Sequence, residues 1–371
     1  MANTLNLGNG NWATKEDSLL AYNSENGNFK PLPFDFTRAS SATVVNKAGL
    51  IETVGSGEPR IDFSNDAKGA LLLEPQRLQL IQYSEDFSNS YWAKNNANVE
   101  SNAAVSPDGT QNADKLNFTT SSGEIVKGMA FVSGQTYTMS FYAKTESGTL
   151  DFIYGNMNYS TISGTATNEW QRFVITQTLP TDTRFPKIQT TEIGSLLLWG
   201  WQVEQGSYAT SYIPTQGSAV TRVADVCNNG GNEQVINSTE GVLYFEGSAL
   251  ANDGTARRIS LSGNSSNIIY ISYRATENQI RAFITGYYDQ TINISNSLLY
   301  NKFALKYKSG DISFWINGVK VNTSTNSMGI SGLVKVNFDG GIGYQDFYGK
   351  TKDVRVYNTA LTDAELQALT T

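Results

Sequence analysis

The residues with the clearest chemical potential are aromatic and polar side chains between predicted strands. Tyr287, Tyr288 and Asp289 separate two strand-like runs, IRAFIT and TINI, so a loop there would present two rings and a carboxylate together. Aromatic rings stack on the apolar face of a sugar, while carboxylates and amides bind its hydroxyl groups. The segment is therefore a candidate glycan-binding site, and an ordinary hairpin tip is the alternative.

Two further places carry the same types of side chain. Tyr154, Asn156 and Tyr159 predict a polar and aromatic loop, which is a second candidate for glycan binding. Trp315 alternates with Phe314 along a predicted strand, so the two rings point to opposite faces. Either face suits the core, and the other ring would then be available to a ligand.

Calcium is the metal that this composition permits, because calcium takes carboxylate and carbonyl oxygens. Asp108 and Asp114 are candidate ligands. However, no Asp-x-Asp-x-Asp-Gly loop occurs, and the segment PDGT around Asp108 is more simply a β-turn. Trp199 and Trp201 are predicted to share one face of a central strand, and we expect them in a sandwich core rather than in a site.

The absence of histidine excludes most catalytic arrangements. Without an imidazole there is no Ser-His-Asp or Cys-His nucleophile pair and no ordinary zinc or iron site. The single cysteine, Cys227, cannot form an intramolecular disulfide. Glycoside hydrolysis needs only two carboxylates, but the acidic residues are scattered singly along the chain. We therefore predict no catalytic residue, no cofactor and no enzymatic activity.

Charge and hydropathy argue against two classes of partner. The chain has 27 Lys and Arg against 34 Asp and Glu, a net charge of −7, so we expect no binding to nucleic-acid phosphates. The longest apolar runs, such as Leu196 to Trp199, are far shorter than the ~20 residues of a membrane helix, so we expect no membrane insertion. The opening MANTLNLGNGNW lacks the pattern of a secretory signal, which predicts synthesis in a cytoplasm.

The chain is rich in turn signals between short apolar runs. With 33 glycines and only 16% charged residues, the composition is typical of turn-rich β structure. SSATVVNKAGLIETV predicts a hairpin around Asn46 to Gly49. NKFALKYKSGDISFWINGVKVNT predicts three successive strands joined at Ser309-Gly310 and Asn317-Gly318. GQTYTMSFYAKTESGTLDFIYG, EWQRFVITQTL and GSLLLWGWQVE predict further strands.

One segment carries a convincing helix signal. Thr362 to Glu365 is a capping box, and Leu361 and Leu366 are placed for a hydrophobic staple across it. The pattern predicts a short helix from Asp363 to Leu369.

We therefore predict an all-β fold of two consecutive antiparallel β-sandwich (jelly-roll) domains after an extended N-terminal anchoring segment, with one short C-terminal helix. The predicted boundaries are 1–77 for the extended and β-hairpin anchoring region, 78–225 for the first jelly roll and 226–371 for the second sandwich. Residues 1 to 35 contain few apolar residues, and these show no helical or strand periodicity. Such a leader either docks on another domain, subunit or larger assembly, or stays disordered.

The last third of the chain resembles a known family of sandwiches. FYGKTKDVRVYNTALTDAELQAL, taken with NKFALKYKSGDISFWINGVKV, resembles the end of laminin G-like, concanavalin A-like jelly rolls. In those domains a strand holding Asp-Val-Arg-Val-Tyr-Asn is followed by a small capped helix. The resemblance implies a two-sheet, lectin-like sandwich.

Earlier segments resemble a module of tail and head fibre proteins of tailed bacteriophages, including the crAss-like kind. These segments are FTRASSATVVNKAGLIETV, GALLLEPQR, YSEDFSNSYWAK, SPDGTQNADKL and WQVEQGSYATSYIPT. In that module a galactose-binding-like jelly roll, similar to carbohydrate-binding modules, often precedes a laminin G-like one. One departure is Arg77-Leu78-Gln79-Leu80, where members commonly read Arg-Thr-Asn-Leu.

The resemblance implies a non-enzymatic virion surface protein, such as a head or tail fibre or capsid decoration subunit, made in the host bacterial cytoplasm. Its N-terminal region would attach to capsid or tail proteins, and its jelly rolls would meet host-cell glycans. We expect a homo-oligomer, most simply a trimer, because fibres multiply weak sites through avidity and share edge strands. Two alternatives stay open: a structural protein that stabilises capsid or tail without binding sugar, and a glycan-cleaving enzyme.

Overall fold

Short extended segments separated by turns pair into antiparallel sheets. The computed structural model describes residues 3–24, 27, 33–179, 183–263, 266–341 and 343–371, so part of the predicted leader lies outside the described residues. The strands as far as Gln79 are β1 Leu5–Gly8, β2 Ala13–Lys15, β3 Ser18–Leu20, β4 Pro33–Thr37, β5 Ala42–Val45, β6 Ile51–Val54, β7 Ile61–Asp62, β8 Ala70–Leu73 and β9 Arg77–Gln79.

The middle of the chain forms one sandwich. Its strands are β10 Ala93–Asn95, β11 Ala97–Val105, β12 Gln111–Phe118, β13 Glu124–Val126, β14 Met129–Ala130, β15 Thr136–Lys144, β16 Leu150–Gly155, β17 Thr161–Ala166, β18 Gln171–Thr178, β19 Thr183–Arg184, β20 Lys187–Thr190, β21 Gly194–Gln205 and β22 Val220–Arg222. One sheet has the order β11-β12-β21-β15-β18, extended by β9 and β22, and the other has the order β10-β13-β20-β16-β17. Aromatic side chains fill the core between them: the ring of Phe141 lies 6.0 Å from Phe152 and 5.9 Å from Trp201.

The rest of the chain builds a second sandwich. Its elements are β23 Val226–Asn228, β24 Glu240–Ala249, β25 Arg257–Gly263, β26 Ile268–Tyr273, β27 Gln279–Ile284, β28 Tyr288–Asn293, β29 Asn301–Lys308, β30 Ile312–Ile316, β31 Val319–Ser324, β32 Leu333–Asn337, β33 Gly349–Tyr357 and α1 Asp363–Thr370. The sheets have the orders β31-β30-β29-β24-β33-β8-β7 and β28-β27-β26-β25-β32. The all-β prediction is thus confirmed.

The local turn and cap signals are confirmed at their predicted places. β5 pairs with β6 around Gly49, whose φ of 81° needs a residue without a side chain. Asn317 and Gly318 both have positive φ, 47° and 81°, as a tight turn between β30 and β31 requires. Thr362 caps α1, and Glu365 completes the capping box. Within the described residues, no helix is both long enough and apolar enough to cross a membrane.

Three of the N-terminal strands, β1, β7 and β8, belong to a sheet of the second sandwich, while β2, β3 and β4 form a separate sheet with β23. β33 pairs with β24 along one side, while β1 and β8 pair with successive parts of its other side. Leu5 and Leu7 of β1 have 0% and 1% of their surface exposed and belong to the core between the two sheets of this sandwich. The region predicted as a separate arm at 1–77 therefore supplies strands and core residues to the domain at the other end of the chain. The predicted domain boundaries themselves stay a prediction.

A β-bulge divides the long central strand β21 between two cores. Gly200 has a φ of 66°, and the register of β15 against β21 shifts at this point. Trp201 consequently faces the core between the two sheets, whereas Trp199 points to the opposite face and packs 4.4 Å from Tyr212. Both tryptophans are buried, as predicted, but the prediction that they share one face is wrong because the bulge reverses the alternation.

Five buried charged side chains connect the N-terminal region with the last strand of the first sandwich and the residues that follow it. Arg60 lies 2.7 Å from Glu74 and also pairs with Asp225. Arg38 lies 3.1 Å from Asp225, and Arg222 lies 2.9 Å from Glu74. None of these side chains is more than 3% exposed. We call this group, Arg38, Arg60, Glu74, Arg222 and Asp225, the buried ion cluster.

The segments that resemble the phage module supply much of this cluster. Arg38 lies in FTRASSAT and Glu74 in LLLEPQR, while Ser211 of SYATSYIPT donates to Glu74 from both its backbone N–H and its hydroxyl, at 2.8 and 2.7 Å. Burial alone would raise the pKa of Glu74, but Arg222 and Arg60 outweigh it and hold the pKa well below the usual range. These segments therefore supply buried ion pairs and hydrogen bonds that hold the chain together.

Candidate functional site

The predicted segment Tyr287 to Asp289 lines a groove at one edge of the second sandwich. The edge strands of the two sheets, β28 and β31, lie on either side of it. The groove has a volume of about 510 Å³. Its lining residues are Phe283, Ile284, Gly286, Tyr287, Tyr288, Asp289, Gln290, Asn322, Thr323, Ser324 and Asn326. The wall is thus mainly aromatic, amide and hydroxyl side chains.

Hydrogen bonds across the groove fix its walls. The Asn326 side-chain amide donates to the Tyr287 carbonyl at 2.8 Å, and the Tyr288 hydroxyl donates to Asn322 Oδ1 at 3.1 Å. The Asn322 amide in turn donates to Gln290 Oε1 at 3.3 Å. The ring of Tyr288 is 5% exposed, whereas Tyr287 is half-buried. Tyr287 packs in part against the core and keeps part of its surface open to the groove, while Tyr288 supports the wall.

The carboxylate of the predicted site is neutralised by a neighbouring arginine. Arg281 donates to both oxygens of Asp289, with an Nε to Oδ1 distance of 2.7 Å. This bond lowers the pKa of Asp289. The Arg281 guanidinium also lies 4.9 Å from the centre of the Phe283 ring. The charged groups at this end of the groove balance, which suits a ligand that carries no net charge.

One side of this groove can be predicted from the sequence, but the other cannot. Asn322, Thr323 and Asn326 follow a predicted hairpin and are separated from Tyr287 by more than one strand. Only the stacking of the two sheets brings the segments together. The polar run VNTSTNS was the available signal, because several amides and hydroxyls follow the strand without an apolar residue between them.

The second predicted loop is not assembled into a single site. Tyr154 is 5% exposed in the core of the first sandwich, and its hydroxyl donates to the Val174 carbonyl at 3.2 Å. Asn156 donates to the Phe185 carbonyl at 3.1 Å. Tyr159 is 71% exposed, but the guanidinium of Arg184 covers one ring face at 3.9 Å. Of the three predicted residues, Tyr159 alone offers ring surface to solvent.

Trp315 faces a small core beneath the helix. It is 4% exposed and packs with Leu361 and Leu366 on the outer face of the sheet. Its indole N–H donates to Ser313 Oγ at 3.1 Å. The sequence could not decide which face of this strand was buried. Both faces of the strand are buried, because α1 covers the face that carries Trp315. The Trp315 ring therefore has no surface left for a sugar.

The calcium candidates hold loops together. Asp108 accepts hydrogen bonds from the Ser106 hydroxyl at 2.6 Å and the Thr110 N–H at 2.7 Å within its own turn. Asp114 accepts from the N–H groups of Phe87 and Asn102, at 2.8 and 2.9 Å. In the part of the chain that the structure describes, no group of three or more His, Cys, Asp or Glu residues is placed to hold a metal ion.

A pair of carboxylates that the sequence analysis did not single out lines another cavity. Glu246 on β24 and Asp353 on β33 are directly opposite each other on neighbouring strands. They line a cavity of about 610 Å³ near the end of α1. Asp353 Oδ2 accepts two hydrogen bonds from Arg355, at 2.9 and 2.6 Å, while its buried Oδ1 has no partner among the described residues. Strand pairing, which the sequence does not reveal, creates this arrangement.

We expect Asp353 to reduce stability as the pH rises. Burial raises the pKa of Asp353 to about 6, and the Arg355 guanidinium offsets only part of the effect. Between an ordinary pKa of about 3.9 and this value, the folded protein holds a proton that the unfolded chain has released. The free energy of unfolding should therefore fall by on the order of 2 kcal/mol as the pH rises through this window.

Urea denaturation at pH 4 and pH 7 tests this expectation against the Asp353→Asn variant. The variant cannot titrate at this position. Between pH 4 and pH 7 its free energy of unfolding should therefore fall by about 2 kcal/mol less than that of the wild type. Equal pH dependence in wild type and variant would contradict the expected titration. In the variant the surroundings of Arg355 are the same at both pH values, so they add no pH dependence of their own.

Comparisons with known proteins give no family for the chain. No family model matches it, and no curated protein matches it. Among solved structures, the carbohydrate-binding module CBM40 of the Ruminococcus gnavus IT-sialidase, bound to α2,3-sialyllactose, is 15% identical, with a TM-score of 0.32 over 39% of this chain and 94% of that one.

Two other solved structures show a similarly distant likeness. Domain 4 of AbnA, a GH43 extracellular arabinanase from Geobacillus stearothermophilus, in complex with arabinotriose, is 13% identical, with a TM-score of 0.34 over 45% of this chain and 84% of that one. The tandem CBM22 domains of Paenibacillus barcinonensis Xyn10C are 12% identical, with a TM-score of 0.29 over 76% and 98% of the two chains. These scores are low, so the groove is interpreted from its own residues and contacts.

Proposed function

We propose that this protein binds uncharged glycans through the groove at Tyr287. The observation that carries the proposal is the convergence of a half-buried tyrosine ring with the amides of Gln290, Asn322 and Asn326 between two edge strands. A ring of this kind stacks on the apolar face of a sugar, and amides both donate to and accept from its hydroxyl groups. The pairing of Asp289 with Arg281 leaves no unbalanced charge to attract an ionic ligand.

A glycan array with the full-length protein tests the proposal. Binding to neutral oligosaccharides is the expected result. An array that stays silent while the protein is folded would instead favour the alternative of a purely structural capsid or tail protein.

Replacing Tyr287 with alanine should weaken binding to the best array ligand by about tenfold. The substitution removes the ring, and an aromatic contact of this size is worth about 1 kcal/mol beyond the apolar area that it buries. Titration calorimetry measures the change. Tyr344→Ala is the matched control, because Tyr344 is an exposed tyrosine of the same sandwich outside the groove. An equal loss of affinity in the two variants would contradict binding at the groove.

The proposal extends to a place on the surface of a tailed-phage virion. The support is the resemblance of the segments between residues 36 and 371 to the fibre-protein module. In this proposal the N-terminal region contacts capsid or tail proteins, and the groove faces the host. Particles labelled with an antibody against the second sandwich would carry the label on head or tail; unlabelled particles would contradict the placement.

A trimer is the proposed state of assembly, because several weak glycan sites on one particle gain strength together. Light scattering of the full-length protein at high concentration checks it. A mass of 40.5 kDa would mean a monomer and would contradict the proposed trimer.

A glycan-cleaving activity is the alternative that one observation favours. Glu246 and Asp353 are neighbours in a cavity, and a carboxyl group with a pKa of about 6 has the property of a general acid. Incubation with neutral and acidic polysaccharides, followed by analysis of released reducing ends, tests it. Release that disappears in Asp353→Asn and Glu246→Gln would establish an enzyme, and absence of release would favour a binding protein.

A further inference from the structure

One sheet of the first sandwich ends in a strand that is paired on one side only. β17 is the last strand in the order β10-β13-β20-β16-β17, and within the described residues no strand pairs with its outer side. Its register against β16 runs without a shift from Thr161, opposite Gly155, to Ala166, opposite Leu150. A regular edge strand of this kind presents a row of backbone groups that can pair with another chain.

The alternation of the strands shows which backbone groups of β17 face outward. On β16, the Asp151 carbonyl accepts from the Thr191 N–H at 3.2 Å, on the side of β20. The next residue, Phe152, therefore directs its backbone groups to β17, where Gly164 lies opposite. Gly164 and the residues two positions away from it thus bond to β16. The residues between them direct their N–H and C=O groups to the open side: Thr161, Ser163 and Thr165.

The edge at β17 carries none of the features that usually prevent pairing with another chain. From Gly155 to Asn168 the sequence GNMNYSTISGTATN contains no charged residue and no proline. Other edge strands of this sandwich are protected: β10 has Lys94 at its centre, and the register of β11 shifts twice. On the neighbouring edge strand β18, the Val174 carbonyl accepts the Tyr154 hydroxyl from within the sandwich. In the described part of this sandwich, β17 is therefore the edge most open to another chain.

The residues of β17 are complementary to those of a second β17 that runs in the opposite direction. When Ser163 lies opposite its own copy, Thr161 lies opposite Thr165 on both sides. The outward backbone groups of these three residues then form three hydrogen-bonded pairs. On the other face of the strand, Ile162 of each copy lies opposite Gly164, which has no side chain. Ile162 is 42% exposed, so this contact would remove apolar surface from water.

The space beside Gly164 lies at the edge of the core. A Cβ built on Gly164 would lie 3.0 Å from the Phe152 ring and 3.1 Å from the Tyr154 ring. The Ile162 side chain of a second copy would therefore meet the aromatic core when it reaches over Gly164. Charge also permits the approach, because a two-fold contact brings like charges together and the six residues of β17 carry none.

From these observations we propose that β17 is a contact between two copies of this chain, whose β17 strands pair in antiparallel orientation about a two-fold axis at Ser163. The contact joins one sheet of each first sandwich into a continuous sheet. It goes beyond the proposed glycan groove, which lies in the other sandwich and shares no residue with it. It is also separate from the proposed trimer, because a two-fold contact joins chains in pairs.

Light scattering and sedimentation velocity of the full-length protein, over a range of concentrations, distinguish the possible assemblies. Two or six chains per particle support the contact at β17: two contradict the proposed trimer, whereas six agree with both proposals. Three chains support the trimer and overturn the contact at β17. A monomer up to high concentration overturns both.

Disulfide cross-linking tests the register of the pair. The two Ser163 Cα atoms would be about 5.5 Å apart, which a disulfide can span, so Ser163→Cys should form a covalent dimer on mild oxidation. Thr165→Cys is the matched control, because the two copies of this residue would be separated by four residues along the strands, roughly 13 Å. The native Cys227 is buried, so the wild type serves as the blank. Absence of the Ser163→Cys dimer, or equal cross-linking of both variants, overturns the proposal.

Replacing Ile162 with lysine should weaken the association of the two copies by at least tenfold, because the two-fold axis introduces the charge twice at the contact. Val319→Lys is the matched control, since Val319 is an exposed β-branched residue at the start of the edge strand β31 in the other sandwich. Sedimentation measures the concentration of half-dissociation, and thermal unfolding shows whether the variants are folded. A folded Ile162→Lys variant that associates like wild type overturns the contact; if it does not fold, the Ser163→Cys cross-link decides.

Discussion

Replacing Asp225 with alanine should lower the free energy of unfolding by about 3–5 kcal/mol. Asp225 pairs with Arg38 and Arg60 and also accepts the Glu74 backbone N–H at 2.8 Å, all without exposure to solvent. Its removal leaves two guanidinium groups buried with fewer partners. The buried ion cluster already has three cations for two anions, so the remaining Glu74 cannot compensate. Because folded proteins are stable by only about 5–15 kcal/mol, a loss of this size should be visible in expression as well.

Denaturant titration of Asp225→Ala measures the loss. Asp311→Ala is the matched control, since Asp311 also pairs with a basic residue, Lys306, but its side chain is 57% exposed. That control should change the unfolding free energy by less than about 1 kcal/mol. A similarly small effect at Asp225 would mean that the buried ion cluster contributes little to the fold.

A chain that begins at residue 36 should fail to form the second sandwich. The truncation removes Leu5, Leu7, Leu19 and Phe34, each at most 1% exposed in the core. Burial of such side chains is worth about 1.5–3 kcal/mol each, so together they approach the whole stability of a typical domain. The truncated protein should be insoluble, or it should lose the cooperative unfolding transition of this sandwich in calorimetry.

The point variant Leu7→Ala tests the same contact without removing the strand. It should cost about 2–5 kcal/mol, whereas Leu298→Ala, at a side chain that is 47% exposed, should cost little. A soluble truncated chain that melts like the full-length protein would show that β1 and its neighbours are dispensable. It would also support the prediction of a separable anchoring arm.

The features that could be predicted from the sequence are those that depend on residues close together in the chain. The turn at Asn317-Gly318 and the capping box at Thr362 depend on residues within a few positions of each other, and both are present. The position of β1 depends on its pairing with β33, at the far end of the chain, and no local sequence pattern predicts this pairing. The direction of Trp199 was missed for another reason: a single glycine, Gly200, inserts a bulge that reverses the alternation of a strand.

The same distinction holds for the candidate site. Tyr287 and Asp289 were predicted from one loop, because ring and carboxylate are neighbours in sequence. Asn322 and Asn326 were not, since they meet Tyr287 only after two sheets stack. The sequence suggests Asp114 as a metal ligand because it shows the residue type but not the hydrogen-bond partners of the side chain. In the fold, backbone N–H groups donate to both of its carboxylate oxygens.

The pairing of β1 with β33 has a consequence for synthesis on the ribosome. Thr4 donates to the carbonyl of Val356, a residue 352 positions later in the chain. At a synthesis rate of about 5–20 residues per second, the first strand waits roughly 20–70 s for its partner to be made. During that interval Leu5 and Leu7 lack their native contacts and are open to wrong ones. Slower growth at low temperature or an abundant chaperone should therefore raise the yield of soluble protein.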